Sequence, residues 1–357
     1  MNQTAKLILQ DGTTFTGQSF GADHSTSGEV IFNTSMVGYP DSFTDPSYTG
    51  QIYVATSPLI GNYGIPSNET DQHGIPKYFE SNKATIKGLI VSEYSDNHSH
   101  HQSVQSLGQW LKDNHIPAIT GIDTRRLTKI IREHGNTLGK IIIDDQDTPF
   151  YNPDLENLVD KVSPKEVTTH GNGSKTIIAI DCGMKNNILR SLLTRDLTVI
   201  RVPWDYDFIG AGITFDGIFI SNGPGNPALL KPLHQILQKA LALQKPIFGI
   251  CLGIQMLAHS AGATTYKLPY GHRSQNQPVI DTQTQKCYIT SQNHGFAIHE
   301  PSLPPDWQIW LRNINDHTIE GIRHRTLPYF ACQFHPEATP GPTDTMHFFD
   351  EFRGMLG

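Results

Sequence analysis

The sequence predicts two domains of different texture: a strand-rich α+β amino-terminal half, then an α/β half built on a mainly parallel sheet flanked by helices. Three observations predict this. After residue 174 apolar strand-like runs alternate with helical patterns, before residue 150 short strand-like pieces are cut by Gly, Pro, Asn and Asp, and the passage between is turn-rich and polar. At 357 residues the chain exceeds the usual single-core range, and 37% hydrophobic residues suffice for two cores.

Leu7-Ile8-Leu9 opens the chain as a strand, and Glu29-Val30-Ile31-Phe32 and Gln51-Ile52-Tyr53-Val54-Ala55 read as further strands. Helical patterning covers Ser103 to Asn114 and Arg125 to His134. Asp145-Gln146-Asp147-Thr148-Pro149, Asn152-Pro153 and Gly171-Asn172-Gly173-Ser174 are turn signals, so the domains are placed at 1–150 and 175–357 with 151–174 as a linker. The second domain reads as strand Thr176 to Ile180, helix Lys185 to Thr194, strands Thr198 to Val202 and Gly217 to Ser221, helix Leu230 to Gln244, and strand Ile247 to Ile250. Lys286 to Thr290 and Tyr329 to Phe334 are also strand-like. In such sheets sites gather at the carboxyl ends of strands. Cys251 falls at one such end, and Asn222-Gly223-Pro224-Gly225-Asn226-Pro227 at another.

Gly249-Ile250-Cys251-Leu252-Gly253 places a cysteine in a G-x-C-x-G frame directly after an apolar run. A sharp strand-to-helix turn lifts its central side chain clear of the sheet, and the helix start favours a nucleophilic thiolate. His335-Pro336-Glu337 follows a later strand; the imidazole can take the thiol proton and the carboxylate can hold its tautomer. Cys251, His335 and Glu337 are therefore the candidate catalytic residues, suited to acyl transfer. The backbone N–H of Leu252 and of a glycine in the Gly223/Gly225 loop are candidate oxyanion donors, and Gln255, one turn beyond Cys251, can reach the same pocket. Cys182, Cys287 and Cys332 read as small buried hydrophobes.

Composition excludes other classes. The net charge of −7 comes without a basic run, so neither nucleic acid nor an anionic membrane is an expected partner. No stretch approaches the ~18 apolar residues of a membrane helix. The four cysteines form no C-x-x-C pair and no zinc spacing, which points to a reducing compartment and no structural metal, and the amino terminus, without a charged-then-apolar signal segment, leads to the expectation of a cytoplasmic protein. Asn97-His98-Ser99-His100-His101 lacks a completing carboxylate or cysteine and reads as a solvated segment before a helix. No G-x-x-x-x-G-K-[ST] occurs, so an ATP-dependent step is assigned to another chain.

Asn222-Gly223-Pro224-Gly225, Gly249 to Gly253, Gln292-Asn293-His294-Gly295-Phe296 and His335-Pro336-Glu337 together resemble a class I glutamine amidotransferase domain. In the amino half, Phe32-Asn33-Thr34-Ser35-Met36-Val37-Gly38-Tyr39-Pro40, Thr44-Asp45-Pro46-Ser47-Tyr48, Gly61-Asn62-Tyr63-Gly64 and Gly121-Ile122-Asp123-Thr124-Arg125-Arg126-Leu127-Thr128 resemble the carbamoyl phosphate synthetase small-subunit family. So does Asp181-Cys182-Gly183-Met184-Lys185-Asn186-Asn187-Ile188-Leu189-Arg190. The resemblance covers essentially the whole chain. It implies a glutaminase subunit that hydrolyses L-glutamine through a cysteinyl thioester and passes ammonia to a large synthetase subunit, which uses bicarbonate and ATP to make carbamoyl phosphate for arginine and pyrimidine synthesis. No cofactor is implied in this chain; ATP and a divalent metal are implied in the large subunit, with a heterodimer open to further oligomerisation. The implied glutamine pocket comprises Ser47, Gly223, Gly225, Leu252, Gln255, Asn293, Gly295 and Phe296. Two departures stand out: Ile254 where many amidotransferases carry a polar residue, and Gly271 to Pro278 without the glycine-rich centre common in the family. Other classes weighed are a stand-alone γ-glutamyl cysteine hydrolase, which has no use for the amino half, and a non-catalytic partner module, which has no use for Cys251, His335 and Glu337.

Overall fold

Alternation along the first strand sets the pattern: Ala5, Leu7 and Leu9 are buried while Thr4, Lys6 and Ile8 are not. The computed structural model describes residues 3–357. The chain divides into two units, one holding the residues up to Asp71 with Pro76–Leu155, the other Gln72–Ile75 with Glu156–Gly357.

In chain order the first unit's strands are β1 (Thr4–Leu9), β2 (Thr14–Ser19), β3 (Thr26–Asn33), β4 (Gln51–Ala55), β5 (Leu59–Ile60), β6 (Ile65–Pro66), β7 (Gly88–Ile90), β8 (Glu93–Tyr94), β9 (Ser103–Gln105), β10 (Ala118–Thr120) and β11 (Thr137–Ile143). Its helices are α1 (Tyr39–Thr44), α2 (Leu107–Asp113) and α3 (Thr124–His134). Seven strands close into a barrel in the order β1-β11-β3-β4-β7-β10-β2, with β5–β8 and β6–β9 as separate two-stranded ladders. Closure leaves no unpaired barrel edge. Leu107, Trp110 and Leu111 of α2 pack with Ile31, Tyr53 and Leu89.

The helix predicted over Ser103 to Asn114 is shorter than the sequence pattern suggests. Ser103–Gln105 is a strand paired with β6, and the helix starts only after Ser106, whose side chain accepts from the Gln109 N–H at 3.3 Å. A serine cap and β-branched Val104 at the start explain the shift. Helix α3 starts on a similar cap, with Asp123 Oδ1 accepting from the Arg126 N–H at 2.8 Å.

The second unit adds α4 (Val159–Val162), β12 (Thr168–His170), β13 (Lys175–Asp181), α5 (Asn186–Leu193), β14 (Leu197–Pro203), β15 (Gly217–Ile220), α6 (Lys231–Leu241), β16 (Ile247–Ile250), α7 (Leu252–Ser260), β17 (Thr265–Asp281), β18 (Cys287–Ile298), β19 (Trp307–Asn313), β20 (Ile319–His324), β21 (Tyr329–Cys332) and α8 (His347–Met355). They form a 10-stranded sheet in the order β12-β14-β13-β15-β16-β21-β20-β19-β17-β18. Strands β14, β13, β15, β16 and β21 are parallel neighbours, and β20, β19, β17 and β18 extend the sheet antiparallel. One face packs α5 and α8 through Ile188, Leu192, Phe349 and Phe352 against Phe248 and Phe330, whose rings stack at 4.5 Å. The other packs α6 and α7, and on α6 Leu233, Ile236, Leu237 and Ala240 follow the helical repeat.

Residues 151–174 are not a linker, which corrects the sequence reading. From Glu156 onward they belong to the second unit: Val159 is fully buried, β12 pairs antiparallel with β14, and Ser163 Oγ donates to the Asp181 carbonyl at 2.6 Å while accepting from the Trp204 N–H at 3.0 Å. Turn residues signalled a loop, but long-range hydrogen bonds give it fixed partners. Ser163→Ala therefore leaves a buried N–H unmet at a cost of about 1–3 kcal/mol. Urea unfolding followed by tryptophan fluorescence should show a lower midpoint; an unchanged midpoint would mean that the segment is not anchored.

Candidate active site

Strand β16 is buried along its whole length and ends in a turn whose apex is Cys251, at φ 56°, ψ −103° and 3% exposed. That backbone is strained for a side-chain-bearing residue. The glycines on either side are steric requirements: a Cβ at Gly249 would stand 2.8 Å from the Gly253 carbonyl, and one at Gly253 2.3 Å from the Ile220 carbonyl. The Cys251 N–H donates to the Cys332 carbonyl at 2.9 Å, tying the turn to β21, and the thiol lies 3.6 Å from the Asn293 carbonyl. Leu252 is the first residue of α7, and its side chain abuts Gly223, where a Cβ would come within 2.9 Å of Leu252 Cδ2.

Parallel pairing of β16 with β21 brings His335 beside this turn. His335 Nδ1 lies 2.7 Å from Glu337 Oε1, and neither side chain is more than 2% exposed. The Lys185 ammonium sits 3.0 Å from the same carboxylate oxygen and donates to the Ala338 carbonyl at 2.8 Å. Asn187 Nδ2 donates to the Glu337 backbone carbonyl at 2.6 Å. Burial opposes the charge on Glu337, but Lys185 and His335 outweigh it and hold the carboxyl down to about 2. Burial likewise opposes the charge on His335; the Glu337 carboxylate outweighs both this and Lys185 and, with the Cys251 thiol, holds the imidazole up to about 10. Among the described residues the buried Nε2 has no other hydrogen-bond partner, and its interaction with the Cys251 thiol adds to the upward shift of the ring. A thiol, an imidazole and a carboxylate thus stand in series in a dry environment, an arrangement that can attack a carbonyl carbon and move a proton to a leaving group.

The class-I glutamine amidotransferase family matches residues 178–355, and the family described as the carbamoyl-phosphate synthase small chain, CPSase domain, matches 7–141. A carbamoyl phosphate synthase arginine-specific small chain from Aspergillus oryzae is 46% identical, over 98% of this chain and 79% of the relative. This chain belongs to the carbamoyl-phosphate synthase small-chain family. The multifunctional protein CAD of Squalus acanthias is 52% identical over 98% of this chain and 16% of its own length. The mitochondrial carbamoyl-phosphate synthase [ammonia] of Homo sapiens is 47% identical over 99% of this chain and 24% of its own. The chain thus spans a quarter or less of these two longer relatives, and 79% of the Aspergillus small chain.

In this small-chain family member the second unit gathers Cys251, His335 and Glu337 with Leu252, Gly223, Gln255 and Asn293. Gln255 is no surface amide: it is 3% exposed, and its Nε2 donates to the Phe296 carbonyl and to Gln333 Oε1, each at 3.1 Å. Gly225 lies in the same loop as Gly223, at φ 87°, and Gly295 and Phe296 continue β18 beyond Asn293. Ser47 stands in the first unit, in a one-turn helix over Pro46–Tyr48, where its N–H donates to Asp45 Oδ1 at 2.9 Å. Cys182 and Cys332 are fully buried, which pushes both thiols well up, whereas Cys287 is exposed, contrary to the sequence reading, because it heads the outermost strand of the sheet. The sequence reading gave Lys185 no role. A lysine before a helix carries no signal for a carboxylate so distant in the chain.

Lys185→Met leaves the buried Glu337 without its cation, at a cost of about 3–5 kcal/mol. Because the Glu337 carboxyl is held down, its contribution is present above the ordinary carboxyl range and lost as pH falls toward about 2. The deficit in thermal stability is therefore expected at pH 7 and should narrow as the pH falls from 4.5 toward 2; a deficit independent of pH would disprove this charge coupling.

Proposed function

We propose that this chain is the glutaminase of a glutamine-hydrolysing carbamoyl phosphate synthetase. The observation that carries it is the Cys251–His335–Glu337 series at the strained turn, in a chain of the small-chain family. Cys251 attacks the side-chain carboxamide carbon of L-glutamine, and the N–H groups of Leu252 and Gly223 receive the oxyanion. The C–N bond breaks as His335 gives its Nε2 proton to the departing ammonia, leaving a γ-glutamyl thioester. Water then adds to the thioester, giving its proton to His335, and the C–S bond breaks to release glutamate. Glu337 keeps the imidazole charged and oriented, and Lys185 keeps Glu337 ionised. Gln255, Asn293, Gly295, Phe296 and Gly225 form the glutamine pocket within the second unit.

The ammonia passes to a large synthetase chain that holds ATP and a divalent metal and makes carbamoyl phosphate from it with bicarbonate, for arginine and pyrimidine synthesis. Among the described residues no helix is long and apolar enough to cross a membrane. We place the enzyme in the cytoplasm, a reading supported by four free cysteines; fractionation of cells tests it against the mitochondrial location that some relatives' names carry.

With the large chain, ATP and bicarbonate present, glutamate and carbamoyl phosphate should form in matched amounts from glutamine. Cys251→Ser should cut glutamine-dependent synthesis by roughly 10³-fold or more while ammonia-dependent synthesis persists. Partner-independent glutamate release without carbamoyl phosphate would favour a stand-alone γ-glutamyl hydrolase and defeat the proposal. In Glu337→Gln the alkaline limb of kcat/KM, set by His335 near pH 10, should move down toward the ordinary imidazole range with a loss of about 10²–10⁴-fold in rate. An unmoved limb would show that Glu337 does not control His335.

A further inference from the structure

Behind the strand that carries Asn293 and Phe296 lies a buried polar cluster that the mechanism does not use. His272, His294 and Glu320 are, among the described residues, the one group of three whose donor atoms lie close enough for a metal, within 4.8 Å of one another. The geometry is not that of a metal centre. Gln292 Oε1 stands 3.1 Å from His272 Nδ1 and 3.0 Å from His294 Nε2, so a carboxamide oxygen fills the space between the two imidazoles.

The contacts form a continuous series from the surface to the glutamine pocket. At its outer end Asp316, part-exposed, lies 2.8 Å from His272 Nε2. Across the ring, Nδ1 meets Gln292 Oε1 and stands 3.5 Å from Glu320 Oε1. Gln292 Nε2 donates to Glu320 Oε2 at 3.0 Å and to Thr290 Oγ1 at 3.1 Å, and Asn313 Nδ2 donates to Glu320 Oε1 at 3.2 Å. At the inner end His294 Nδ1 lies 2.9 Å from the Phe296 carbonyl; burial holds this ring neutral, so it has one N–H to give to either the carbonyl or Gln292 Oε1. That same carbonyl accepts from Gln255 Nε2. Burial pushes His272 down, but Asp316 and Glu320 outweigh it and hold the imidazole up to about 9, so a charged ring stands between two carboxyl groups.

The backbone adds an independent reason for such a clamp. The β17–β18 ladder keeps regular register over His272–Ser274 opposite Gln292–His294, but it is broken on both sides, between Lys267 and His272 and between Ser274 and Gln277. Where a ladder is interrupted, main-chain hydrogen bonds alone fix a strand poorly, and side-chain contacts must set its position.

We propose that His272 is a positioning residue for glutamine binding: clamped between Asp316 and Glu320, it fixes the Gln292 carboxamide and with it the adjoining Asn293 backbone of β18, whose carbonyl lies 3.6 Å from the Cys251 thiol. The inference rests on the glutaminase reading above. His272 touches no reacting atom, so its loss should act on binding rather than on bond breaking.

The test is steady-state glutamine hydrolysis by the assembled synthetase with His272→Leu, His272→Asn and Asp316→Ala. His272→Leu should raise KM for glutamine about tenfold or more with kcat within about threefold of wild type. His272→Asn retains a donor near the Nδ1 position and should restore KM to within about threefold. Asp316→Ala, a change nearer the surface, should raise KM in the same direction and carries the test if His272→Leu fails to assemble. Unchanged KM in His272→Leu and Asp316→Ala, a fall in kcat without a change in KM, or a His272→Asn variant as impaired as His272→Leu would each overturn the inference. A wild-type synthetase that releases no glutamate overturns the glutaminase reading itself; an active wild type with unshifted variants overturns this inference alone.

Discussion

The hydrogen bond from the Cys251 N–H to the Cys332 carbonyl is the constraint on which the site depends. It continues the parallel ladder of β16 and β21 one residue past Ile250, just as the chain leaves the sheet. The turn cannot relax without breaking that bond, and it cannot tighten because Gly253 already lies against the Ile220 carbonyl. A cysteine at positive φ is thereby held on a rigid scaffold, which is how backbone strain persists at functional sites. The same ladder carries the chain on to Gln333 and His335, so one strand pairing positions both Cys251 and His335.

Buried charge is the second organising fact. A lone carboxylate as deep as Glu337 would be neutral, because desolvation would outweigh any benefit of its charge. Lys185, from the start of α5, and His335 from the next turn of chain reverse that balance, and the backbone around Glu337 is held by Asn187. The His272 cluster repeats the device on the far side of β18, with one imidazole between Asp316 and Glu320. Three basic groups (Lys185, His335 and His272) and three carboxyl groups (Glu337, Asp316 and Glu320) are therefore paired inside the second unit. Such pairs fix geometry more than they stabilise the fold.

Much of the second unit was legible because its signals are local. Apolar runs such as Ile247–Ile250 and the helical repeat of α6 identify buried elements directly, and the G-x-C-x-G frame marks a tight turn whatever surrounds it. Elements whose stability comes from distant partners were not. Strand β12 and the Ser163 anchor were hidden in turn-rich sequence, β9 was absorbed into a helix, and the long hairpin of β17 and β18 was visible only around Lys286 to Thr290 because its polar residues face a buried cluster rather than solvent.

The sequence by itself determined the sharp turn at Cys251, the His-Pro-Glu segment, the alternating architecture of the second half and the family, because each is written in contiguous residues of specific type and spacing. Only the tertiary structure decided that Lys185 neutralises Glu337, that Gln255 is buried against Phe296 and Gln333, that Cys287 is exposed, and that His272 and His294 share one carboxamide. Those are electrostatic and hydrogen-bonding relations between residues far apart in the chain. Their strength depends on burial and distance, which sequence spacing does not encode.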